Sequence, residues 1–504
     1  MRHAHALCRR RRSASNSSRY ATILTDAEVD VREPSDRQFG NVATPRSLFI
    51  FCSRNTVGRL SCAQVSTNYA RLLVDGQRIL PALLEDIAAA ERVIHVSIFL
   101  FFRDPIGQEI ADALAERARA GLDVRVLLNM EKTAMGDPFS TGEKEMMKHD
   151  PDVDYDPTNV KPLCKMLTAA GVKVHDTNID YDAEMAGANA RLRSVAQQIR
   201  GAIAIDDMHI DHRKILIIDG RVGWCGGANI GAQYLFHVPF DPQKDARVEA
   251  EERKQQQQRE PWWKWHDSLT RFEGPIVLEL DSAFHDRWVL DGGDDYGTIS
   301  ATPSKEPPRG QALSHAQIHS NEPNDQPNEV RELYLRMIRQ ARQSIFIENP
   351  YLYHPQIVEA LCAAKARTVE LSIVLIVPAG RHNDNSFSQD AQEHEYQRYL
   401  AAGIEVYEYQ NHFNHLKMAV FDGLYSIHGS TNLNCRSLEN DKDFELVVLV
   451  EDEPFARAVL QQVRDVDVGH ARRMTEEDLH GTFAGLRRRV RDPRTLALLA
   501  KRML

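Results

Sequence analysis

The sequence predicts an α/β protein of two pseudo-symmetric halves, each a mixed β-sheet flanked by helices. One observation is a repeated motif, histidine-x-lysine-xxxx-aspartate. Its two copies are His212-x-Lys214-xxxx-Asp219 and His415-x-Lys417-xxxx-Asp422. A second observation is that strand-like and helix-like segments alternate in the same order around both copies, as in sheets covered by helices. The third is the length, because 504 residues are too many for one ordinary domain.

In the first half, apolar residues at helical spacing fill positions 79–92, and a β-rich run follows at 93–102. Residues 107–120 return to helical spacing until Gly121 ends the helix. A short apolar run at 124–128 then has the character of a buried strand. Strand, helix and strand in succession predict a mixed or parallel sheet with helices on its faces.

The second half repeats this order. Its predicted helices are residues 330–343, 357–367 and 389–402, and its predicted strands are residues 344–347, 371–377 and 404–409. A finer parallel supports the repetition, because Gly171 and Gly403 each end a helix and an alternating strand begins directly afterwards. The chain is therefore interpreted as an internal duplication.

Composition divides the chain into five segments. We expect a disordered basic and serine-rich leader at 1–67, the first half at 68–290, a linker at 291–327, the second half at 328–470 and a basic helical tail at 471–504. The leader has no acidic residue before Asp26, a pattern also found in organelle transit peptides, but we favour a solvated tail or a mis-assigned start. The linker is rich in Gly, Pro, Asp and Ser.

Charge and cysteine content restrict the function. The formal charge of −10 argues against a general nucleic-acid binder, which needs a basic face to neutralise phosphates. The seven cysteines are scattered and form no CxxC pair, which favours free thiols in a reducing compartment. No apolar run approaches the length of a membrane span. We therefore expect a cytoplasmic protein whose contact with membranes is peripheral.

Each motif lies on an apolar run that ends in Asp-Gly, a strong signal for a β-hairpin. Residues two apart on a strand face the same side, so each histidine is predicted to lie beside its lysine. The motif aspartates, Asp219 and Asp422, follow their histidines by an odd number of residues. That offset places them on the other face or in the turn, so we expect them to form the turn or support the fold.

An imidazole beside an ammonium group suits phosphate chemistry. Lysine neutralises non-bridging oxygens, and histidine can attack phosphorus or protonate a leaving oxygen. A displacement needs an attacking group on one side of phosphorus and an acid on the other, which two facing hairpins would supply. Beyond each motif come a small pair that leaves room for a phosphate and an asparagine that adds a donor: Gly226-Gly227 with Asn229, and Gly429-Ser430 with Asn432.

His209 and His212 together suggest a metal pair, but no cysteine or third spaced ligand accompanies them. A lone histidine of this kind is more often a satisfied surface or core residue, whereas the matched pair of motifs favours function. We therefore interpret His209 as a neighbour and expect neither a metal nor a cofactor.

The duplicated motif resembles that of the phospholipase D superfamily, and the likeness covers residues 69–452, most of the chain. Further stretches resemble the superfamily as well. Residues 265–267, 274–275 and 288 are similar to the end of its first half, residues 347–351 to the start of its second half, and residues 429–437 and 443–445 to its close.

The resemblance implies a role for each motif residue. One histidine forms a covalent phosphohistidine and the other protonates the departing alcohol without a metal; His212 is similar to the nucleophile and His415 to the acid. Asp219 and Asp422 belong to the motif and stand with its catalytic set. The residues that would hold the phosphate are Lys214, Lys417, Asn229, Asn432, Gly227 and Ser430. The acids that would orient the histidines are Asp267 and either Asp443 or Glu445.

We expect a monomeric enzyme that acts on glycerophospholipids at a membrane surface. It would transfer the phosphatidyl group to water or to an alcohol, as in cardiolipin synthesis, and nucleic acid is not an expected partner. A nuclease or another phosphodiesterase of the same superfamily is the alternative enzyme, and an inactive membrane-binding scaffold is the non-enzymatic alternative. The polar segment 129–206 is expected to form a lid or to shape the alcohol site.

Overall fold

The computed structural model of the chain contains two eight-stranded sheets. It describes residues 67–130, 133, 159–177, 210–237, 264–301, 307–323, 327–383, 386–439 and 443–479. The strands of the first sheet are β1 (Asn68–Val74), β2 (Val93–Ile98), β3 (Asp123–Leu128), β4 (Lys173–Asp176), β5 (Ile215–Ile218), β6 (Val222–Gly226), β7 (Ser268–Glu273) and β8 (Gln311–Leu313). Those of the second are β9 (His315–Asn321), β10 (Ser344–Glu348), β11 (Ser372–Pro378), β12 (Glu405–Tyr409), β13 (Met418–Phe421), β14 (Tyr425–Gly429), β15 (Glu445–Glu451) and β16 (Ala471–Arg473).

Helices separate many of these strands. The helices of the first half are α1 (Gly76–Ala88), α2 (Pro105–Arg119), α3 (Lys161–Ala169) and α4 (Ile276–Leu290). Those of the second half are α5 (Glu329–Gln340), α6 (Pro355–Arg367), α7 (Ser386–Ala401), α8 (Cys435–Leu438), α9 (Glu453–Gln462) and α10 (Arg464–Asp467). Side chains cap several of them; Asp104, for example, accepts the N–H of Gly107 at 2.8 Å at the start of α2. The predicted helices and strands of both halves are present, with ends shifted by a few residues.

The two sheets have matching topology. The strand order is β4-β3-β2-β5-β6-β7-β1-β8 in the first and β16-β12-β11-β10-β13-β14-β15-β9 in the second. In the first sheet β2, β3 and β4 run parallel and β5 is antiparallel to β2. In the second, β10, β11, β12 and β13 repeat this arrangement. The predicted architecture, two pseudo-symmetric mixed sheets flanked by helices, is confirmed.

The motif strands are buried on both faces. In β5, Leu216 and Ile218 belong to the apolar cluster formed with α1, α2 and α3. Ile215 and Ile217 point the other way, into a cluster that residues of both sheets share. The matching strand β13 alternates in the same manner between its own helices and the shared cluster. Burial on both sides explains why these strands have unbroken apolar sequences.

Two strands lie within the segment predicted as a linker, residues 291–327. β8 pairs with β1 at the edge of the first sheet, and β9 pairs with β15 at the edge of the second. Their sequences, QAL and HAQIHSN, are too short or too polar to show a strand pattern. The segment therefore joins the halves and also adds one strand to each.

Some predicted features lie partly or wholly outside the described residues. The leader up to residue 66, most of segment 129–206 and the tail beyond residue 479 are in this group. The predicted helical tail begins with a strand, β16, which pairs with β12. In the parts of the chain that the structure covers, we find no helix that is both long and apolar enough to cross a bilayer.

Candidate active site

Both copies of the motif run into a β-hairpin. The turn between β5 and β6 has positive φ at Asp219 (55°) and Gly220 (62°), and the turn between β13 and β14 has positive φ at Asp422 (52°) and Gly423 (63°). Aspartate tolerates this left-handed conformation and glycine favours it, which is why Asp-Gly suits such turns. The predicted hairpins are therefore present in both halves.

The motif aspartates join each hairpin to a neighbouring strand. The carboxylate of Asp219 accepts hydrogen bonds from the backbone N–H groups of residues 91–93 at 2.8–3.0 Å. Asp422 accepts from residues 342–344 at 2.7–3.1 Å. These amides lead into β2 and β10. The structure thus places both aspartates in the turn, where they support the fold, as their odd spacing suggested.

Segments from opposite halves bring the histidines together. The N–H of His212 donates to the C=O of Phe444 at 3.0 Å, and the N–H of His415 donates to the C=O of His266 at 2.8 Å. Two isolated parallel bridges accompany these contacts, and they pair Asp211 with Phe444 and Asn414 with His266. Each motif histidine therefore lies beside a segment of the other sequence repeat. Its backbone partner in that segment, Phe444 or His266, is followed directly by an acidic residue.

Those carboxylates are Glu445 and Asp267. Oε1 of Glu445 lies 2.9 Å from Nδ1 of His212. Oδ2 of Asp267 lies 2.6 Å from Nδ1 of His415. The sequence alone allows either Asp443 or Glu445 to serve a histidine. The structure places Glu445 there, whereas Asp443 pairs with an arginine at 2.8 Å. Because each acid comes from the half opposite to its histidine, the site is complete only where the halves meet.

The small residues after each hairpin make room for these carboxylates. A Cβ added at Gly227 would lie 2.3 Å from Oδ1 of Asp267. Ser430 occupies the matching position and donates its hydroxyl to Glu445. These contacts differ from the predicted contact with a phosphate, which stays a prediction for Gly227 and Ser430.

Each lysine lies beside its histidine, as predicted. Nζ of Lys214 donates to the C=O of His212 at 2.6 Å, and Nζ of Lys417 donates to the C=O of His415 at 2.7 Å. Burial lowers the pKa of Lys214 to about 7. Burial and Lys214 lower the pKa of His212 to about 4, with a smaller contribution from Lys417. Burial and both lysines lower the pKa of His415 well below its ordinary value. Such mutual shifts require the four groups to lie within electrostatic range, so the two motifs converge on one site.

The two orienting acids have pKa values shifted in opposite directions. Burial disfavours ionisation of Glu445, but His212 and Lys214 outweigh it and lower its pKa. At Asp267 burial dominates and raises the pKa to about 7. An ionised Glu445 only accepts hydrogen bonds, so Nδ1 of His212 donates to it and Nε2 keeps a lone pair. That form of imidazole can act as a nucleophile.

Aromatic rings line the site. The ring centres of Trp265, Tyr234 and Phe413 lie 5.0–5.6 Å from that of His415, which is 5% exposed. Phe99 lies 5.2 Å from the other motif histidine. The sequence alone assigns none of these rings to the site. The spacing held a signal, because two of them stand two residues before a member of the site and so share its face in an extended chain.

The motif asparagines have different surroundings. Oδ1 of Asn229 accepts the N–H of Leu100 at 3.1 Å. Oδ1 of Asn432 is buried and accepts no hydrogen bond from any residue that the structure describes. Binding of phosphate by either side chain stays a prediction.

Three groups of metal-type side chains occur within the described residues. They are Asp75, His266 and His412; His266, Glu348 and Asp467; and His354, Cys435 and Glu439. The two ring nitrogens of His266, which belongs to the first two groups, lie 2.7 Å from Asp75 and 3.0 Å from Asp467. In the third group an ion-pair distance of 3.4 Å separates His354 from Glu439. His209 lies outside the described residues.

Comparisons with known proteins find a family and relatives that cover most of the chain. The family model described as cardiolipin synthase, phospholipase D-like domain, matches residues 83–265 and 334–466. A probable cardiolipin synthase of Bacillus subtilis (strain 168) is 27% identical over 396 residues, which cover 77% of this chain and 64% of that relative. Cardiolipin synthase A of Buchnera aphidicola is 23% identical over 423 residues, which cover 83% of this chain and 72% of the relative. The chain thus spans somewhat less than two thirds of the length of the first relative.

A solved structure shares the fold. Phosphatidylserine synthase from Haemophilus influenzae Rd KW20 superposes with a TM-score of 0.54. The superposition covers 86% of this chain and 95% of that protein, with 14% sequence identity. At this identity the likeness concerns the architecture of the two halves.

Proposed function

Because the chain belongs to the family of cardiolipin synthase, phospholipase D-like domains, we propose that it transfers the phosphatidyl group of a glycerophospholipid through a phosphohistidine at His212. The observation that carries the proposal is the pair of histidines, each beside a lysine and each bound to a carboxylate from the opposite half. A phosphodiester held between them meets an attacking nitrogen on one side and a proton donor on the other.

In the first step, Nε2 of His212 attacks phosphorus while the bond from phosphorus to the headgroup oxygen breaks. Glu445 accepts from Nδ1 and stabilises the positive charge that develops on the ring. His415 gives a proton to the departing oxygen, so that the headgroup leaves as a neutral alcohol. Lys214 and Lys417 offset the charge on the non-bridging oxygens.

In the second step, the oxygen of water or of an alcohol attacks phosphorus and the phosphorus–nitrogen bond breaks. His415, now neutral, takes the proton of the attacking hydroxyl, and His212 is restored. Attack by water gives phosphatidic acid, and attack by the headgroup hydroxyl of phosphatidylglycerol gives a cardiolipin-type lipid. Each displacement inverts configuration at phosphorus, so the net outcome is retention.

The electrostatics of the site favour an anionic substrate. Burial and the lysines keep both histidines neutral. A bound phosphodiester adds a negative charge, which raises the pKa of His415 and favours the protonated form that the departing alcohol needs. Glu445 meanwhile holds His212 with Nε2 free to attack.

The substrate class determines the proposed partners. A glycerophospholipid lies in a membrane, so the chain would bind a phospholipid surface peripherally and act from the cytoplasmic side. Both histidines and both acids belong to one chain, so a monomer contains every group that the proposed chemistry uses.

The test incubates purified protein with phosphatidylglycerol vesicles, with and without a primary alcohol, and in parallel with plasmid DNA. We expect phosphatidic acid or a cardiolipin-type lipid by mass spectrometry from the wild type, and neither from H212A or H415A. H237A is the matched control, because His237 is 53% exposed and contacts Glu109; it should retain full turnover. Cleavage of DNA without turnover of phospholipid, or near-normal lipid turnover by H212A, would contradict the proposal.

A further inference from the structure

A buried charge cluster lies behind the second motif histidine and takes no part in the steps above. His266 precedes Asp267, and its ring lies between two carboxylates, with Nδ1 2.7 Å from Asp75 and Nε2 3.0 Å from Asp467. Carboxylate oxygens at both ring nitrogens favour the imidazolium form, in which both nitrogens donate. Burial opposes this charge, but Asp467, Tyr409 and Asp75 outweigh it and raise the pKa of His266 well above its ordinary value.

Three other side chains lie near this ring. Tyr409 stacks on it with ring centres 4.9 Å apart, and the ring of His412 lies 5.8 Å away. Glu348 lies beside Asp467, and burial raises its pKa well above the ordinary value, which keeps its carboxyl protonated. Burial lowers the pKa of His412 to about 3, which keeps that imidazole neutral. The imidazolium of His266 is therefore the cation of this cluster at neutral pH.

Two contacts tie the cluster to the catalytic pair. The C=O of His266 accepts the N–H of His415 at 2.8 Å. Asn414 donates its side-chain N–H to Glu348. Because Asp267 follows His266 and His415 follows Asn414, the cluster fixes the chain on both sides of the 2.6 Å contact between Asp267 and His415.

The described residues around the first motif contain a buried charge cluster of a different kind, in which Arg213 and Arg287 both pair with Asp211. The positions that match His266 and Asn414 are Phe444 and Asp211. Asp211 pairs with Arg213 at 2.8 Å, and the guanidinium of Arg213 lies 5.2 Å from the ring centre of Phe444. The two catalytic histidines, alike in motif, are thus supported by different chemistry.

We propose that His266 is a positioning residue for the proton donor His415, an inference that rests on the proposed function. Its ring, clamped between Asp75 and Asp467, holds Asp267 in place against that histidine. A fixed contact at Nδ1 directs Nε2 of His415 toward the leaving oxygen. Loosening the clamp slows donation of the proton and leaves the attacking imidazole intact.

The test varies the leaving group, because a departing alcohol needs a proton and p-nitrophenolate does not. kcat/KM reports the step in which the leaving group departs, and it is measured for the wild type and H266Q with phosphatidylglycerol vesicles and with bis(p-nitrophenyl) phosphate. We expect H266Q to lower kcat/KM for phosphatidylglycerol by about 10²-fold and for the p-nitrophenyl ester by less than about threefold. An equal loss on both substrates, or no loss on either, overturns the inference.

A matched control is H95Q. His95 is buried and its Nδ1 lies 2.7 Å from Asp281, so the substitution removes the same kind of contact away from the site; both kcat/KM values should stay at the wild-type level. D467N removes the carboxylate on the other side of the His266 ring and should give the same selective loss in kcat/KM. D467N serves as the test variant if H266Q does not fold. Failure of the wild type on both substrates would refute the proposed function, whereas an active wild type with an unselective H266Q would refute this inference alone.

Discussion

Replacing Glu445 by glutamine removes a negative charge beside His212 and keeps the size of the side chain. The carboxylate oxygen lies 2.9 Å from Nδ1 of His212. His212 and Lys214 hold the pKa of Glu445 low despite its burial, so the wild-type side chain is ionised. Glutamine can still accept a hydrogen bond through its carbonyl oxygen. It offers no charge, however, to balance the positive ring that the proposed mechanism forms when His212 attacks phosphorus.

The size of the effect follows from this geometry. Two unit charges about 4 Å apart interact by about 4 kcal/mol at an effective dielectric constant of about 20. A factor of ten in rate corresponds to about 1.4 kcal/mol, so complete loss of the interaction would slow the reaction by nearly 10³-fold. Because the hydrogen bond persists in E445Q, we expect kcat to fall by about 10²-fold to 10³-fold.

The assay compares lipid turnover by E445Q and D443N. Asp443 is also buried and stands two residues before Glu445, but it bonds to Arg436 and not to a histidine. We expect D443N to keep kcat within about threefold of the wild type, and circular dichroism should show that both variants are folded. A kcat of E445Q close to the wild type, or a larger loss in D443N, would refute the assignment of Glu445 to His212.

Three further predictions concern the fold and the second acid. D219A removes the acceptor of three backbone N–H groups, so urea titration should show a loss of about 2–3 kcal/mol in the free energy of unfolding; an unchanged value would contradict this role. G227A would place a Cβ 2.3 Å from the carboxylate of Asp267. The new methyl group should push this carboxylate away from His415 and lower kcat on phosphatidylglycerol by at least about tenfold. Burial lowers the pKa of His428 to about 3, whereas the unfolded chain protonates this residue near pH 6.5. Below about pH 6.5 the unfolded chain binds a proton at this residue that the folded chain does not, so the free energy of unfolding falls as the pH falls toward 3. H428Q lacks this effect, and its free energy of unfolding should decrease less than that of the wild type between pH 7 and pH 5.

The motif hairpins could be predicted because their signals are local. Asp219-Gly220 and Asp422-Gly423 fix the turns by their own backbone preferences, and the apolar runs before them indicate buried strands. The same residues carry the resemblance to the phospholipase D superfamily, which the family match confirms. Repetition of these local signals was enough to predict two similar halves.

The choice between Asp443 and Glu445 depends on a contact between distant parts of the chain. Both acids are buried, and both lie on one face of an extended segment because they are two residues apart. The bridge between Asp211 and Phe444 sets the register that places Glu445 at the histidine. No pattern within either segment specifies that register.

The cluster around His266 and the strands of the predicted linker also depend on contacts between distant parts of the chain, so the sequence did not predict them. Asp75, His266, Glu348 and Asp467 are far apart in sequence and meet only in the folded chain. β8 and β9 are polar, and they form strands because β1 and β15 offer them partners. Tertiary pairing, which a local pattern does not encode, determined these parts of the structure.

The crossed contacts of Glu445 with His212 and of Asp267 with His415 constrain how a duplicated gene of this kind evolves. A solitary repeat would carry an imidazole that lacks its acid and an acid that lacks its imidazole. A substitution of either acid alters the surroundings of an imidazole encoded by the other repeat. The repeats can diverge in helices and loops, but natural selection acts on their chemistry as one inherited unit.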